Sequence, residues 1–153
     1  MNILDVVIFL TKIMSEDVLS KVNGKRGAET WSQILKAKEP KTQHIGIFNG
    51  EDKLLGFASC GRVRGDHYGH DGEIYALNIP AAYHGLGLGK KLMENSMAFL
   101  RSQELKKVLL WCSEQNTRAL GFYKSLGAKD LGVSQLNDNE SVKDIGLSLS
   151  HQL

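Results

Sequence analysis

The stretch EIYALNIPAAYHGLGLGKKLMENSMAFL, residues 73–100, decides the fold of this chain. Its first part, 73–79, is nearly all apolar, which is typical of a central strand covered on both faces. Pro80 lacks an N–H donor and ends that strand. After a glycine-dense turn, apolar residues recur at helical spacing, which predicts an amphipathic helix. The members of this stripe are Leu88, Leu92, Ser96, Phe99 and Leu100.

The turn between strand and helix carries three glycines at alternate positions, Gly85, Gly87 and Gly89. Glycine adopts positive φ without steric cost, so we expect all three to bring backbone N–H groups close to an anion. The N-terminus of the following helix adds partial positive charge at the same place. The turn is therefore predicted to bind a phosphate group.

The spacing of these glycines excludes two well-known phosphate loops. A P-loop requires a glycine at position 84 and a Ser or Thr at position 91, where this chain has His84 and Lys91. The dinucleotide fingerprint requires Gly-x-Gly-x-x-Gly after a first strand, whereas here the run is Gly-x-Gly-x-Gly and lies in the middle of the chain.

The run His84-Gly85-Leu86-Gly87-Leu88-Gly89 resembles Gln/Arg-x-x-Gly-x-Gly/Ala, the acyl-CoA pyrophosphate loop of the GNAT N-acyltransferases. His84 departs from that pattern. A second segment, NTRALGFYKSLG at 116–127, is similar to the Asn-x-x-Ala-x-x-Phe-Tyr-x-x-x-Gly segment of the same superfamily. The likeness extends over about 45–150, is clearest over 73–128, and is poor before residue 45.

This resemblance implies an α/β fold with a mixed, mostly antiparallel central sheet and helices on both faces. It implies an acetyltransferase that moves an acetyl group from acetyl-CoA to a primary amine by direct attack. In the family, backbone of the central strand binds the cofactor and polarises the thioester carbonyl. The cofactor-binding positions that we expect are Leu77, Asn78, Ile79, His84, Gly85, Leu86, Gly87, Leu88, Gly89, Lys90 and Asn116.

Two side chains are candidates for proton transfer. The attacking amine must lose a proton near pH 7, and Glu73, the only carboxylate in the central strand, is the candidate base. The alternative for Glu73 is exposure at the end of the strand or an ion pair with Arg62 or Arg64. Tyr123 matches the general-acid position of the resembled family, and its alternative role is that of a buried core tyrosine.

Three further residues near the two motifs, Asn116, Lys90 and Lys91, are candidates for binding the cofactor. Asn116 could bind the pantetheine arm, as the family implies, or cap the helix that follows it. Lys90 and Lys91 could bind phosphate groups of the cofactor as point charges, because lysines in a first turn gain nothing from the helix dipole.

The loop at 66–71 contains Asp66, His67, His70 and Asp71, residue types that bind metals. The same residue types are ordinary in hairpin loops, so we expect no metal. Our hypothesis for Asp66 and Asp71 is that they attract a cationic amine acceptor.

Composition restricts the other function classes. The 153 residues suit a single domain, with 19 basic and 17 acidic side chains that are well mixed and give no patch for nucleic acid or a membrane surface. No apolar stretch is long enough to span a bilayer. Cys60 and Cys112 fall in strands that a third strand should separate, so we expect free thiols and a cytoplasmic protein.

The remaining chain predicts a strand over 3–10, helices over 15–22 and 28–38, and a hairpin of 44–48 with 54–61 that turns at Asn49-Gly50. A strand over 108–111, a helix after Asn116 that stops at Gly127, and a final hairpin of 131–134 with 142–149 complete the pattern. Residues 1–44 are a short opening for the resembled family and are expected to form the acceptor side. Such an opening would leave sheet edge that a second copy could cover, so a homodimer is expected.

Two rival functions remain open at this point. One is a non-catalytic acyl-CoA-binding or sensing module, in which Glu73 and Tyr123 have only structural roles. The other is a metal- or nucleotide-binding regulatory protein that uses the histidine loop or an unusual phosphate loop. The identity of the amine acceptor does not follow from the fold.

Overall fold

The computed structural model describes residues 42–51, 53–65, 67–136 and 142–150, together with the backbone of 7–10. The predicted helices over 15–22 and 28–38, the turn at 137–139 and the first half of the strand over 3–10 lie outside the described residues. So does Asp66.

Seven strands form one mixed sheet in the order β1-β2-β3-β4-β5-β7-β6. The strands are β1 Val7–Leu10, β2 Gln43–Phe48, β3 Leu54–Arg62, β4 Gly72–Asn78, β5 Lys107–Ser113, β6 Lys129–Leu136 and β7 Lys143–Ser150. The helices within the described ranges are α1 Leu88–Ser102 and α2 Thr117–Ser125, and a single turn of 3₁₀ helix at Ala81–Tyr83 precedes α1. The predicted mixed α/β sheet is confirmed.

The sheet contains both parallel and antiparallel strand pairs. β4 and β5 pair in parallel, as a strand-helix-strand unit requires. The antiparallel pairs include β1 with β2, β5 with β7, and β6 with β7. A strand at Val7–Leu10 is thus present in this chain and pairs with β2.

The chain divides into two compact units. The first unit contains 1–59 and 76–96, the second 60–75 and 97–153. In the first unit, apolar side chains from β2, β3 and α1 form a core against which residues of β4 and of the turn before α1 pack. The core residues are Ile45, Ile47, Leu55, Ala58, Leu88 and Leu92.

The second unit is built on β5, which lies between β4 and β7. Val108, Leu109 and Leu110 are buried there, as expected for a central strand. Gly72 allows close packing at the start of β4, since a Cβ at that position would lie 3.2 Å from the Cβ of Leu105.

Both cysteines are buried free thiols, Cys60 in β3 and Cys112 in β5. The sheet order places β4 between them, which confirms the predicted separation. None of the helices in the described ranges is long and apolar enough to cross a membrane.

Candidate active site

The glycine turn has the left-handed backbone that the sequence predicts at two of its three glycines. Gly85 and Gly87 have φ values of 77° and 78°. A Cβ at either position would meet nothing within 4 Å, so backbone conformation and not crowding favours glycine there. The positive φ expected at Gly89 is absent, because α1 already begins at Leu88 and Gly89 is its second residue.

The turn presents a row of unsatisfied donors. In the part of the chain that the structure describes, none of the six backbone N–H groups from Gly85 to Lys90 donates a hydrogen bond to the protein. The helical ladder begins only with the Lys91 N–H, which donates to the Gly87 carbonyl at 3.2 Å. Free N–H groups at the start of a 15-residue helix form an anion-binding site.

The His84 side chain, at a position where the resembled family has Gln or Arg, makes a hydrogen bond to the backbone before the turn. Its Nε2 lies 2.6 Å from the carbonyl oxygen of Ile79 and donates to it. This bond ties the turn back to the residue that follows β4. The His84 ring therefore holds the loop, and its Nε2 is not available to a cofactor.

A second contact beside the turn was not predicted from the sequence. The Lys53 ammonium lies 5.5 Å from the centroid of the Tyr83 ring, two residues before Gly85. A hydrogen bond with Tyr83 is the main cause that raises the pKa of Lys53 above its ordinary value. Tyr83 and Leu86 also pack on the core of the first unit, so both sides of Gly85 are anchored.

The pairing of β4 with β5 is short. It joins Gly72 to Val108, Glu73 to Leu109 and Ile74 to Leu110, whereas β4 continues to Asn78 and β5 to Ser113. Within the described residues, Ala76, Leu77 and Asn78 therefore have no partner on β5. Leu77 and Asn78, two of the predicted cofactor-binding positions, are among these residues.

Tyr123 lies on α2 and is 7% exposed. Burial, and to a smaller degree the neighbouring Cys112, raise the pKa of Tyr123 to about 12. In the described ranges of the chain, its hydroxyl has no hydrogen-bond partner. A buried phenol that stays protonated at neutral pH and has no partner can donate a proton to a bound group.

Asn116 caps α2, which is one of the two roles predicted for it. Its Oδ1 accepts a hydrogen bond of 3.1 Å from the Ala119 N–H. The helix ends at a positive-φ glycine, Gly127 with φ 95°, as predicted. The Asn116 side-chain amide group is not used by the cap and is exposed.

Glu73 is buried, with 3% exposure, and is paired with Arg64. Its Oε2 accepts hydrogen bonds of 3.1 Å from Nε and 3.0 Å from Nη2 of Arg64. Its Oε1 accepts a longer bond of 3.4 Å from the Arg64 backbone N–H. The ion pair that the sequence offered as an alternative is therefore present.

The strand register places the side chains of Glu73 and Cys112 on opposite faces of the sheet. Glu73 is in register with Leu109, so both point to one face. Cys112, three residues later on β5, points to the other face. Tyr123 is near enough to Cys112 for the thiol to contribute to its raised pKa.

In the loop before β4, two of the residues whose types suggested a metal site, His70 and Asp71, make hydrogen bonds within the protein. His70 is buried, with Nδ1 near the carbonyl oxygens of His67 and Tyr68 and Nε2 2.7 Å from the Ser148 hydroxyl. The Asp71 carboxylate accepts a 2.8 Å bond from the Lys107 N–H and so joins the starts of β4 and β5. Among the residues described, no three His, Cys, Asp or Glu side chains are grouped to hold a metal ion.

Comparison with known proteins gives a match to the family model of the acetyltransferase (GNAT) family over residues 11–128. The uncharacterized N-acetyltransferase YuaI of Bacillus subtilis is 29% identical over 141 residues, which cover 89% of this chain and 76% of YuaI. The mycothiol acetyltransferase of Salinispora arenicola is 36% identical over 90 residues. The alignment covers 52% of this chain but 29% of that enzyme, so the chain spans less than a third of its length.

A solved aminoglycoside 6'-N-acetyltransferase, complexed with coenzyme A, superposes with a TM-score of 0.74. The superposition covers 94% of this chain and 96% of that one, at 16% sequence identity. At such low identity the likeness shows a shared fold.

Proposed function

This chain belongs to the acetyltransferase (GNAT) family, and from that premise we propose that it transfers the acetyl group of acetyl-CoA to a primary amine by direct nucleophilic attack. The observation that carries the proposal is the row of six N–H groups from Gly85 to Lys90 at the start of α1, which have no acceptor among the described residues. It suits a pyrophosphate, which needs several donors and no opposing side chain. Lys90 and Lys91 add positive charge beside it.

In the proposed reaction, the amine nitrogen bonds to the thioester carbonyl carbon and the carbon–sulfur bond then breaks. Backbone N–H groups between Leu77 and Ile79 stabilise the charge that develops on the carbonyl oxygen. The leaving CoA thiolate takes a proton from the Tyr123 hydroxyl. The Tyr123 hydroxyl carries its proton at neutral pH and has no hydrogen-bond partner among the described residues, which supports this role.

Glu73 is the proposed base, and its surroundings favour action through a water molecule. Both of its oxygens accept hydrogen bonds from Arg64 and only 3% of the residue is exposed, so a bulky amine has little direct access. A carboxylate with little direct access can still accept a proton through a bridging water molecule. The side-chain amide of Asn116 is proposed to bind the pantetheine arm while Oδ1 caps α2.

We extend the proposal to the whole chain as one catalytic domain of 153 residues, with the acceptor side formed by residues 1–44. The two free buried cysteines suit a reducing compartment such as the cytoplasm. A homodimer through a sheet edge is proposed because β6 ends the sheet order and Leu136 on it is 57% exposed. Light scattering at micromolar concentration would detect the dimer.

The enzymatic proposal is tested by incubating the full chain with acetyl-CoA and a panel of primary amines. We expect CoA thiol release that depends on an amine, with a product heavier by one acetyl group in mass spectrometry. Tight acetyl-CoA binding with no product from any amine would favour the acyl-CoA-sensing alternative. Omitting the enzyme controls for spontaneous acetylation.

A further inference from the structure

The ion pair with Glu73 leaves some N–H donors of the Arg64 guanidinium without an acceptor among the described residues. A guanidinium has five N–H donors, and Glu73 accepts from one on Nε and one on Nη2. Three donors remain, including a parallel pair along the Nη1–Nη2 edge. Within the described parts of the chain, no protein group accepts from them.

The guanidinium is also fixed in place although its side chain is 59% exposed. Its Cζ lies 3.8 Å from the centroid of the Tyr75 ring, which stacks against it. The Tyr75 hydroxyl in turn donates to the carbonyl oxygen of Arg62, so the ring itself is held. An exposed guanidinium that is immobilised on two sides loses little entropy when it binds a ligand.

The charged side chains near this group include one of the two aspartates of the loop and two arginines. The Asp71 carboxylate, expected to attract a cationic acceptor, is bonded to the Lys107 backbone. Arg62 and Arg64 are both exposed, whereas Glu73 is buried and paired. Of the two charged side chains in this ion pair, the one accessible to an acceptor is the Arg64 cation, which favours an acceptor that carries an anion.

We propose that Arg64 determines acceptor specificity by binding a carboxylate of the acceptor through its free Nη1–Nη2 edge. The acceptor class is then an amino-acid-type compound, in which the primary amine lies a few bonds from a carboxylate. The short spacing follows because Arg64 directly contacts Glu73, the proposed base. This inference rests on the proposed function.

The test compares the standard amino acids with their carboxamides as acceptors, at fixed acetyl-CoA, for the full-length chain. The variants are Arg64→Gln, Arg64→Lys and the control Arg62→Gln, which removes an equal charge two residues away. A third arm uses amino alcohol phosphates, since a phosphate could also bind a guanidinium edge. Calorimetric titration of acetyl-CoA into each variant reports cofactor binding separately.

We expect the acid to exceed its amide in kcat/KM by about tenfold or more, because charge-assisted bidentate bonds have this magnitude. Arg64→Gln should abolish the preference by raising KM for the acid, Arg64→Lys should keep part of it, and Arg62→Gln should keep it whole. Acetyl-CoA affinity should be unchanged in all three variants.

Equal use of acid and amide by the unmodified chain, a preference for phosphates, or a preference that survives Arg64→Gln would overturn the inference. So would acetyl-CoA binding without acetylation of any amino acid. Failure to bind acetyl-CoA at all would instead overturn the proposed function itself, and the inference with it.

Discussion

The Glu73 carboxylate and the Arg64 guanidinium are joined by two hydrogen bonds of 3.1 and 3.0 Å, and the Arg64 backbone N–H adds a third contact at 3.4 Å. Glu73 is buried whereas the Arg64 side chain is more than half exposed. The pair therefore combines a desolvated charge, which needs its partner, with a cation that can also contact solvent or a ligand.

Removing Arg64 should destabilise the protein because it leaves the buried Glu73 without its charged partner. We expect Arg64→Gln to lower the free energy of unfolding by about 2 kcal/mol. Glu73→Gln in the same chain should recover part of that loss, with a coupling energy of about 1 kcal/mol in a double-mutant cycle. Urea denaturation measures all four proteins. Additive effects of the two substitutions would show that the pair is not coupled.

Replacing Tyr123 by Phe separates proton donation from binding. We expect Tyr123→Phe to lower kcat by about 10²-fold or more, the usual contribution of a positioned general acid. The dissociation constant of acetyl-CoA should stay unchanged, because the ring and its packing are retained. Stopped-flow or steady-state assays at saturating substrate give kcat, and calorimetry gives the affinity. A variant with unchanged kcat would remove Tyr123 from the mechanism.

The pKa of Tyr123 also predicts how stability depends on pH. Burial raises the pKa of Tyr123 to about 12, above its ordinary value of 10.0, so the folded protein retains this proton longer than the unfolded chain. The contribution to stability is therefore complete below pH 10 and is lost as the pH rises towards 12. Between those values, the unfolding free energy should fall more steeply for the unmodified protein than for Tyr123→Phe. Identical slopes for the two proteins would contradict the raised pKa.

His84 is expected to support acetyl-CoA binding indirectly, by holding the glycine turn through the Ile79 carbonyl. His84→Ala should weaken acetyl-CoA binding by about tenfold, the equivalent of one lost hydrogen bond. His84→Gln keeps a donor of similar reach and matches the family pattern, so it should bind nearly as well as the unmodified chain. Equal affinities for all three proteins would show that this bond does not organise the turn.

The features that the sequence predicted well are local in the chain. Each of them depends on residues within a few positions, such as Pro80, Asn116 and Gly127. They are strand β4, the glycine turn, helix α1, and the cap and stop of α2. Gly89 was mispredicted because alternate glycines do not reveal at which residue a helix begins. The position of that first helical residue decides which glycine needs positive φ.

The contacts that the sequence could not rank are those between distant parts of the chain. Arg62 and Arg64 could both have paired with Glu73 on the sequence alone. The folded arrangement of β3 beside β4 shows that Arg64 forms the ion pair. The stacking of Tyr75 on Arg64 and the early end of β4–β5 pairing after Ile74 depend on register between strands. No short-range pattern encodes that register.

The most direct test of the central claim is a calorimetric titration of acetyl-CoA into the unmodified chain, Gly87→Ala and Gly127→Ala. Both glycines have positive φ and open space for a Cβ, so each alanine should cost about 1 kcal/mol of stability through backbone strain. Only Gly87 lies in the proposed phosphate-binding turn. The account predicts saturable acetyl-CoA binding that Gly87→Ala loses and Gly127→Ala keeps, with no comparable binding of ATP or NAD. No acetyl-CoA binding by the unmodified chain, or equal affinity in all three proteins, would contradict it.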